Sequence, residues 1–130
     1  MARRILLVDD EPEMLTLLEL TLTIAGYDVA KTERGEQAAR LITEFDPHVI
    51  ILDIMMPGMS GHEVLRQSKQ QFPNPPEVVI LSARTGIDDI SEGKKAGAFT
   101  YLFKPVTRSK LLQAVEAALE ARFKREHQGK

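Results

Sequence analysis

Short apolar runs alternate with helical patterns along this chain, and most of the runs end in a polar or charged residue. Ile5-Leu6-Leu7-Val8 is continuously apolar and stops at Asp9-Asp10, as suits a strand buried on both faces. Pro12 then stands in a first helical turn, Leu15, Leu18 and Leu22 follow at helical spacing, and Gly26 marks the stop. Tyr27 to Ala30 mixes polar and apolar residues, which predicts a weaker strand nearer a sheet edge. Ala38, Ala39, Leu41, Ile42 and Phe45 form a second apolar helical face. Val49-Ile50-Ile51-Leu52 is the clearest strand, and it ends in Asp53.

The second half repeats the rhythm. Ser60-Gly61-His62-Glu63 has the spacing of a capping box, which starts a third helix, and Phe72-Pro73-Asn74-Pro75-Pro76 breaks it. Val78 to Leu81 is another buried strand and ends in Ser82. A fourth helix is predicted from about Asp88 to Ala96, poor in large apolar residues and stopped at Gly97. Phe99 to Phe103 reads as a fifth strand leading to Lys104-Pro105, and a last amphipathic helix runs from Leu111 through Leu112, Val115 and Leu119. Arg122 to Lys130 continues that helix with basic and polar residues, as a frayed end or the start of a linker.

Strict alternation of this kind implies an α/β domain with a doubly wound, five-stranded parallel sheet and five helices. Ligands in such sheets bind beyond the carboxyl ends of the strands. Asp9, Asp10, Asp53, Ser82 and Lys104 all fall at predicted carboxyl ends, so distant segments should meet in one crevice. A length of 130 residues fits one domain, expected over residues 1–121, with 122–130 as the extension.

Composition narrows the function classes. The chain has no cysteine, which removes disulfides and thiolate metal sites. A net charge of -2 gives no electrostatic case for nucleic acid, and with 5% aromatics and no Trp stacking surfaces are scarce. No apolar run nears the roughly 20 residues that span a bilayer. The expected setting is the cytoplasm, without membrane insertion or direct nucleic-acid contact.

Three carboxylates in one crevice repel each other, and a hard divalent cation such as Mg²⁺ relieves that conflict with oxygen ligands. A carboxylate can also act as nucleophile and form an acyl-phosphate. Phosphoryl transfer then needs positioning and neutralisation of the transferring oxygens, for which Lys104 supplies charge and Ser82 a hydroxyl donor.

Asp9-Asp10, the run Asp53-Ile54-Met55-Met56-Pro57-Gly58-Met59-Ser60-Gly61, Ser82-Ala83 and Lys104-Pro105, in that order, resemble the signature of bacterial response-regulator receivers of two-component signalling. The likeness, of the chemotaxis-receiver kind, covers residues 3 to about 121. It implies the flavodoxin-like strand order 2-1-3-4-5. It further implies that Asp53 is the phosphoacceptor for a histidine kinase or histidine phosphotransfer protein. Asp10, Asp53 and the Met55 carbonyl become direct Mg²⁺ ligands, with Asp9 acting mostly through water. Ser82 and Lys104 become the groups that hold the phosphoryl oxygens, and the Lys104-Pro105 peptide is expected to be cis. Tyr101 falls where the family has an aromatic that turns inward on phosphorylation, switching the face of the fourth helix, fifth strand and fifth helix toward an output partner. Arg84 and Met55, two residues beyond Ser82 and Asp53, are expected to tune phosphoryl lifetime. Such a domain assists its own phosphorylation and dephosphorylation and is not a turnover enzyme.

Each residue also has a plainer reading. Asp10 could cap a helix with Glu13, the three methionines Met55, Met56 and Met59 could pack around a turn, and Tyr101 could simply pack on an edge strand. Phe99-Thr100 stands where receivers commonly carry acids, making the output face less acidic. His48, His62 and His127 sit at no acidic strand end and read as solvated or partly buried. Two rivals remain: a phosphorylation-independent module of the same fold, and an aspartyl-phosphate phosphatase, which would place D-x-D after its first strand. Val8-Asp9-Asp10-Glu11 stands where a dinucleotide fold needs glycines.

Overall fold

The computed structural model describes residues 3–56, 58–83 and 87–128, with the side chains of 87–89, 127 and 128 left aside. Pro57 and Arg84, and the side chain of His127, therefore lie outside the described residues. Five parallel strands, β1 (Arg4–Val8), β2 (Asp28–Thr32), β3 (Val49–Leu52), β4 (Glu77–Ser82) and β5 (Thr100–Phe103), form one sheet in the order β2-β1-β3-β4-β5. Between and after them run α1 (Pro12–Ile24), α2 (Ala38–Phe45), α3 (Gly61–Gln70), α4 (Ile87–Lys95) and α5 (Arg108–Gln128), with a 3-10 turn at Gly35–Gln37 before α2.

The period of two along each strand divides the core. Ile5, Leu7, Val49, Ile51, Val79 and Leu81 face α1 and α5, while Leu6, Val8, Ile50, Leu52, Val78 and Ile80 face α2, α3 and α4. The central strands therefore need apolar residues at every position, which is why their runs show no alternation. Each fully buried Leu or Ile contributes about 1.5–3 kcal/mol. The mixed run that opens with Tyr27 becomes edge strand β2, as expected. On α1 the predicted Leu15, Leu18 and Leu22 are all buried, whereas Leu17, Leu20 and Ile24 are 59%, 57% and 68% exposed and leave an apolar stripe in solvent.

Two helix starts differ from expectation. Glu11, not Asp10, occupies the N-cap of α1 and makes no side-chain capping bond, so Pro12 at the first position starts that helix and Asp10 is left for other work. The α5 helix begins at Arg108 rather than Leu111, because the Thr107 hydroxyl accepts the Lys110 N–H at 3.2 Å and caps the new helix. The Ser60 cap on α3 forms as its spacing predicts, accepting the Glu63 N–H at 3.3 Å.

The basic end of α5 closes on the opposite rim from the strand carboxyl ends. Arg122 is 5% exposed and donates to the Pro47 carbonyl, and Arg125 reaches Glu77 and the Pro75 carbonyl. His48, partly buried beside them, accepts the Arg4 N–H on Nδ1. Burial, then the nearby Arg4 and Arg122 charges, hold its pKa below the ordinary histidine value.

Candidate functional site: an acid cluster around Lys104

Strand register assembles the site. Val8 pairs with Leu52 and Ser82 with Phe103, so the residues that follow β1, β3 and β5 leave the sheet at one level beside the last residue of β4. The backbone then continues the pairing for one step. Asp9 N–H donates to the Thr32 carbonyl, Asp53 N–H to the Val8 carbonyl at 2.8 Å, and Lys104 N–H to the Ser82 carbonyl at 2.9 Å. Asp9 and Asp53 are 3% and 4% exposed, and Ser82 is fully buried.

Lys104 is the hub. Its Nζ lies 3.0 Å from an Asp9 carboxylate oxygen, 3.1 Å from Glu11 and 3.4 Å from Asp53. The other oxygens are also engaged: Asp9 Oδ1 accepts the Glu11 N–H, and Asp53 Oδ1 accepts the Met55 N–H, both at 3.0 Å. Asp9, Asp10, Glu11 and Asp53 each offer an oxygen within 4.8 Å of the others. Glu11 was not among the residues expected from the sequence. The signal was present, since it directly follows the acidic doublet, but an exposed acid at a helix start has ordinary reasons to be there.

One ammonium does not neutralise four carboxylates. Burial pushes the Asp53 carboxyl up to about 6, with Asp9 adding repulsion, while the Met55 N–H and Lys104 pull the other way. For Lys104, burial opposes its charge, but the hydrogen bonds it donates to Asp9 and Glu11 and the field of Asp53 outweigh it and raise its pKa. The ammonium is therefore permanent at neutral pH, whereas Asp53 is poised. A hard divalent cation matches the donor set, which is all oxygen and short of positive charge.

The loop after Asp53 folds tightly beneath the cluster. A Cβ at Gly61 would stand 2.5 Å from the Asp53 carbonyl oxygen and 2.6 Å from the Ile54 Cα, both backbone atoms that cannot yield. The missing side chain lets the start of α3 press against the chain that carries Asp53. Met56 is buried and Met59 partly so, but Met55 is 51% exposed, so its side chain does not pack around the turn as a methionine trio would.

The Lys104-Pro105 peptide is cis. Tyr101 is 8% exposed, tilted against Phe103 with ring centroids 5.5 Å apart, and lies beneath Gly93 of α4. Its ring is therefore largely out of solvent, packed against α4. Phe99 and Phe103 remain 37% and 43% exposed on the same face. His62 is partly buried, with Nε2 3.9 Å from a Glu92 carboxylate oxygen across the α3–α4 contact.

Comparison with known proteins agrees with this geometry. The model of the response regulator receiver domain family matches residues 5–116. A signal receiver domain ascribed to a LuxO repressor of Vibrio parahaemolyticus is 28% identical with a TM-score of 0.92, over 100% of this chain and 99% of that one. A CheY-like receiver from Methanospirillum hungatei is 25% identical with a TM-score of 0.90, covering 96% and 99%. The BeF3-activated receiver domain of RstA from Klebsiella pneumoniae is 28% identical with a TM-score of 0.84, covering 90% and 98%.

This chain belongs to the response regulator receiver family, and its fold is the flavodoxin-like arrangement of CheY. Phosphorylation on an aspartate is characteristic of that family. Its members are signalling phosphoacceptors rather than turnover enzymes, they interact with histidine kinases and output domains, and they generally bind Mg²⁺ at an acidic cluster. Among the described residues no helix is long and apolar enough to cross a membrane.

Proposed function

We propose that the chain accepts a phosphoryl group on Asp53 from a phosphohistidine of a kinase or phosphotransfer protein. An Asp53 oxygen attacks phosphorus, the O–P bond forms as the N–P bond breaks, and the leaving imidazole takes a proton. Water later cleaves the acyl-phosphate, regenerating the carboxylate and releasing inorganic phosphate. The observation that carries this reading is a buried carboxylate held 3.4 Å from a partly buried ammonium inside a cluster of four acids. Asp10, Asp53 and the Met55 carbonyl would hold Mg²⁺, with Asp9 at longer range. The cation supplies charge that offsets the carboxylates and the transferring oxygens.

Lys104 stabilises the developing negative charge, and the Ser82 hydroxyl donates to a second phosphoryl oxygen. Phosphorylation draws Ser82 toward the phosphoryl group and favours an inward Tyr101, so the two residues together bias the α4–β5–α5 face between two populations. Exposed Phe99 and Phe103 give that face an apolar character for an output partner. Met55, half exposed beside Asp53, controls the approach of hydrolytic water and thereby phosphoryl lifetime. Leu17, with Met14 and Pro105, lines an apolar groove close to the site, which a donor protein would cover as it delivers its phosphoryl group. The working compartment is the cytoplasm, where such donors act.

Incubation with acetyl phosphate and Mg²⁺ should add the mass of one phosphoryl group to the protein, and a chelator should abolish the gain. Equal labelling with and without the chelator would remove the cation from the reading.

A further inference from the structure

The loop that joins Asp53 to α3 is fixed at both stems. Asp53 N–H is tied to β1 through Val8, and Gly61 N–H donates to the Ile54 carbonyl at 3.2 Å. The tip between them is held from outside. Glu36, in the 3-10 turn before α2, accepts the Met59 N–H on its carboxylate at 3.1 Å, across 23 residues of sequence.

Two glycines fit this contact from opposite sides. Gly58 has φ +74, and a Cβ there would stand 2.7 Å from the same Glu36 Oε1 that takes the Met59 N–H. A Cβ at Gly35 would stand 2.8 Å from the Met59 carbonyl oxygen and 3.0 Å from Val64 Cγ2. Removing both side chains lets the 3-10 turn and the loop tip close on each other. Glu36, itself exposed, has its carboxyl held below the ordinary value, chiefly by the Met59 N–H. The groove between the two segments is lined by Asp10, Glu33, Arg34, Glu36 and Gly58, so the clasp borders the acid cluster.

We propose that Glu36 is a positioning residue for the cation site, clasping Gly58–Met59 so that the Asp53–Met55 stretch is ordered before the cation arrives. This rests on the cation-dependent reading of Asp53 given above. A carboxylate at this distance also attracts a cation through space, so the two effects have to be separated by chemistry. Glu36→Ala removes both charge and acceptor. Glu36→Gln removes the charge and keeps an oxygen that can accept the Met59 N–H. Glu33→Gln removes a charge from the same groove without touching the loop.

Isothermal titration of Mg²⁺ into the full chain, with amide hydrogen exchange at Met59, reads these apart. Glu36→Ala should weaken Mg²⁺ binding by about 10-fold and speed Met59 exchange, at the low end of the cost of losing supporting contacts around metal ligands. Both glutamine variants should stay within about twofold of wild type. Circular dichroism melting establishes that each variant is folded.

Equal weakening in all three variants would reduce the effect to charge and overturn the clasp. So would unchanged Mg²⁺ affinity in Glu36→Ala with faster Met59 exchange. If wild type binds no Mg²⁺, the reading of Asp53 falls first and the proposal with it. That outcome is distinct, because Met59 exchange would still report whether Glu36 holds the loop.

Discussion

Lys104→Met should slow phosphorylation of Asp53 by roughly 10²–10³-fold at saturating Mg²⁺, the usual cost of losing one well-placed donor to developing negative charge. The ammonium is held by three carboxylates at 3.0–3.4 Å and carries its charge throughout the neutral range. It is therefore already charged and close by when a phosphoryl group arrives on Asp53, and exchanges a carboxylate contact for a phosphoryl oxygen. Met keeps most of the length and apolar stem, so packing against the sheet survives. The initial rate of acetyl phosphate labelling measures the effect. A rate within threefold of wild type would mean that Lys104 serves only to offset the acids.

The second large effect concerns stability without a cation. Asp53 has its carboxyl pushed from 3.8 up to about 6, first by burial and then by Asp9. The folded state thus binds the proton more tightly than the unfolded state, and the ionised form is the unfavourable one. That penalty is fully present above pH 6 and disappears as the pH falls through 6 toward 3.8. Asp53→Asn removes the charge, so in a chelator at pH 7.5 it should be more stable than wild type by on the order of 1–3 kcal/mol. The advantage should shrink toward zero by about pH 4. Added Mg²⁺ should stabilise wild type more than the variant, because binding to the folded state adds directly to stability. Urea unfolding at the two pH values provides the comparison. A variant less stable than wild type at pH 7.5 would show that the 3.4 Å contact with Lys104 outweighs the repulsion.

Much of the architecture was legible because the central strands are buried on both faces. Ile5 to Val8, Val49 to Leu52 and Val78 to Leu81 have no polar interruptions, and each is followed by a residue expected at the site. Strand ends converge in a parallel sheet, so Asp53 and Lys104 could be placed together from order alone. What escaped depends on geometry that spacing does not encode. Asp10 and Glu13 satisfy a capping pattern, yet the chain turns one residue later and Pro12 starts the helix. Thr107 was hidden behind Pro105 as a cap. Glu11 and Glu36 are exposed acids with no pattern around them, and only the fold brings one to Lys104 and the other to Met59. Tyr101 was legible as a candidate, but its burial depends on Gly93 passing close above it.

The most direct measurement is the intact mass of wild type and Asp53→Asn after acetyl phosphate and Mg²⁺, followed by peptide mapping of the modified species. One added phosphoryl group on wild type, mapped to the peptide containing Asp53 and missing from the variant, is the expected result. A phosphoryl group that persists in the folded variant, or that maps to another segment, would contradict the assignment of Asp53 as the acceptor.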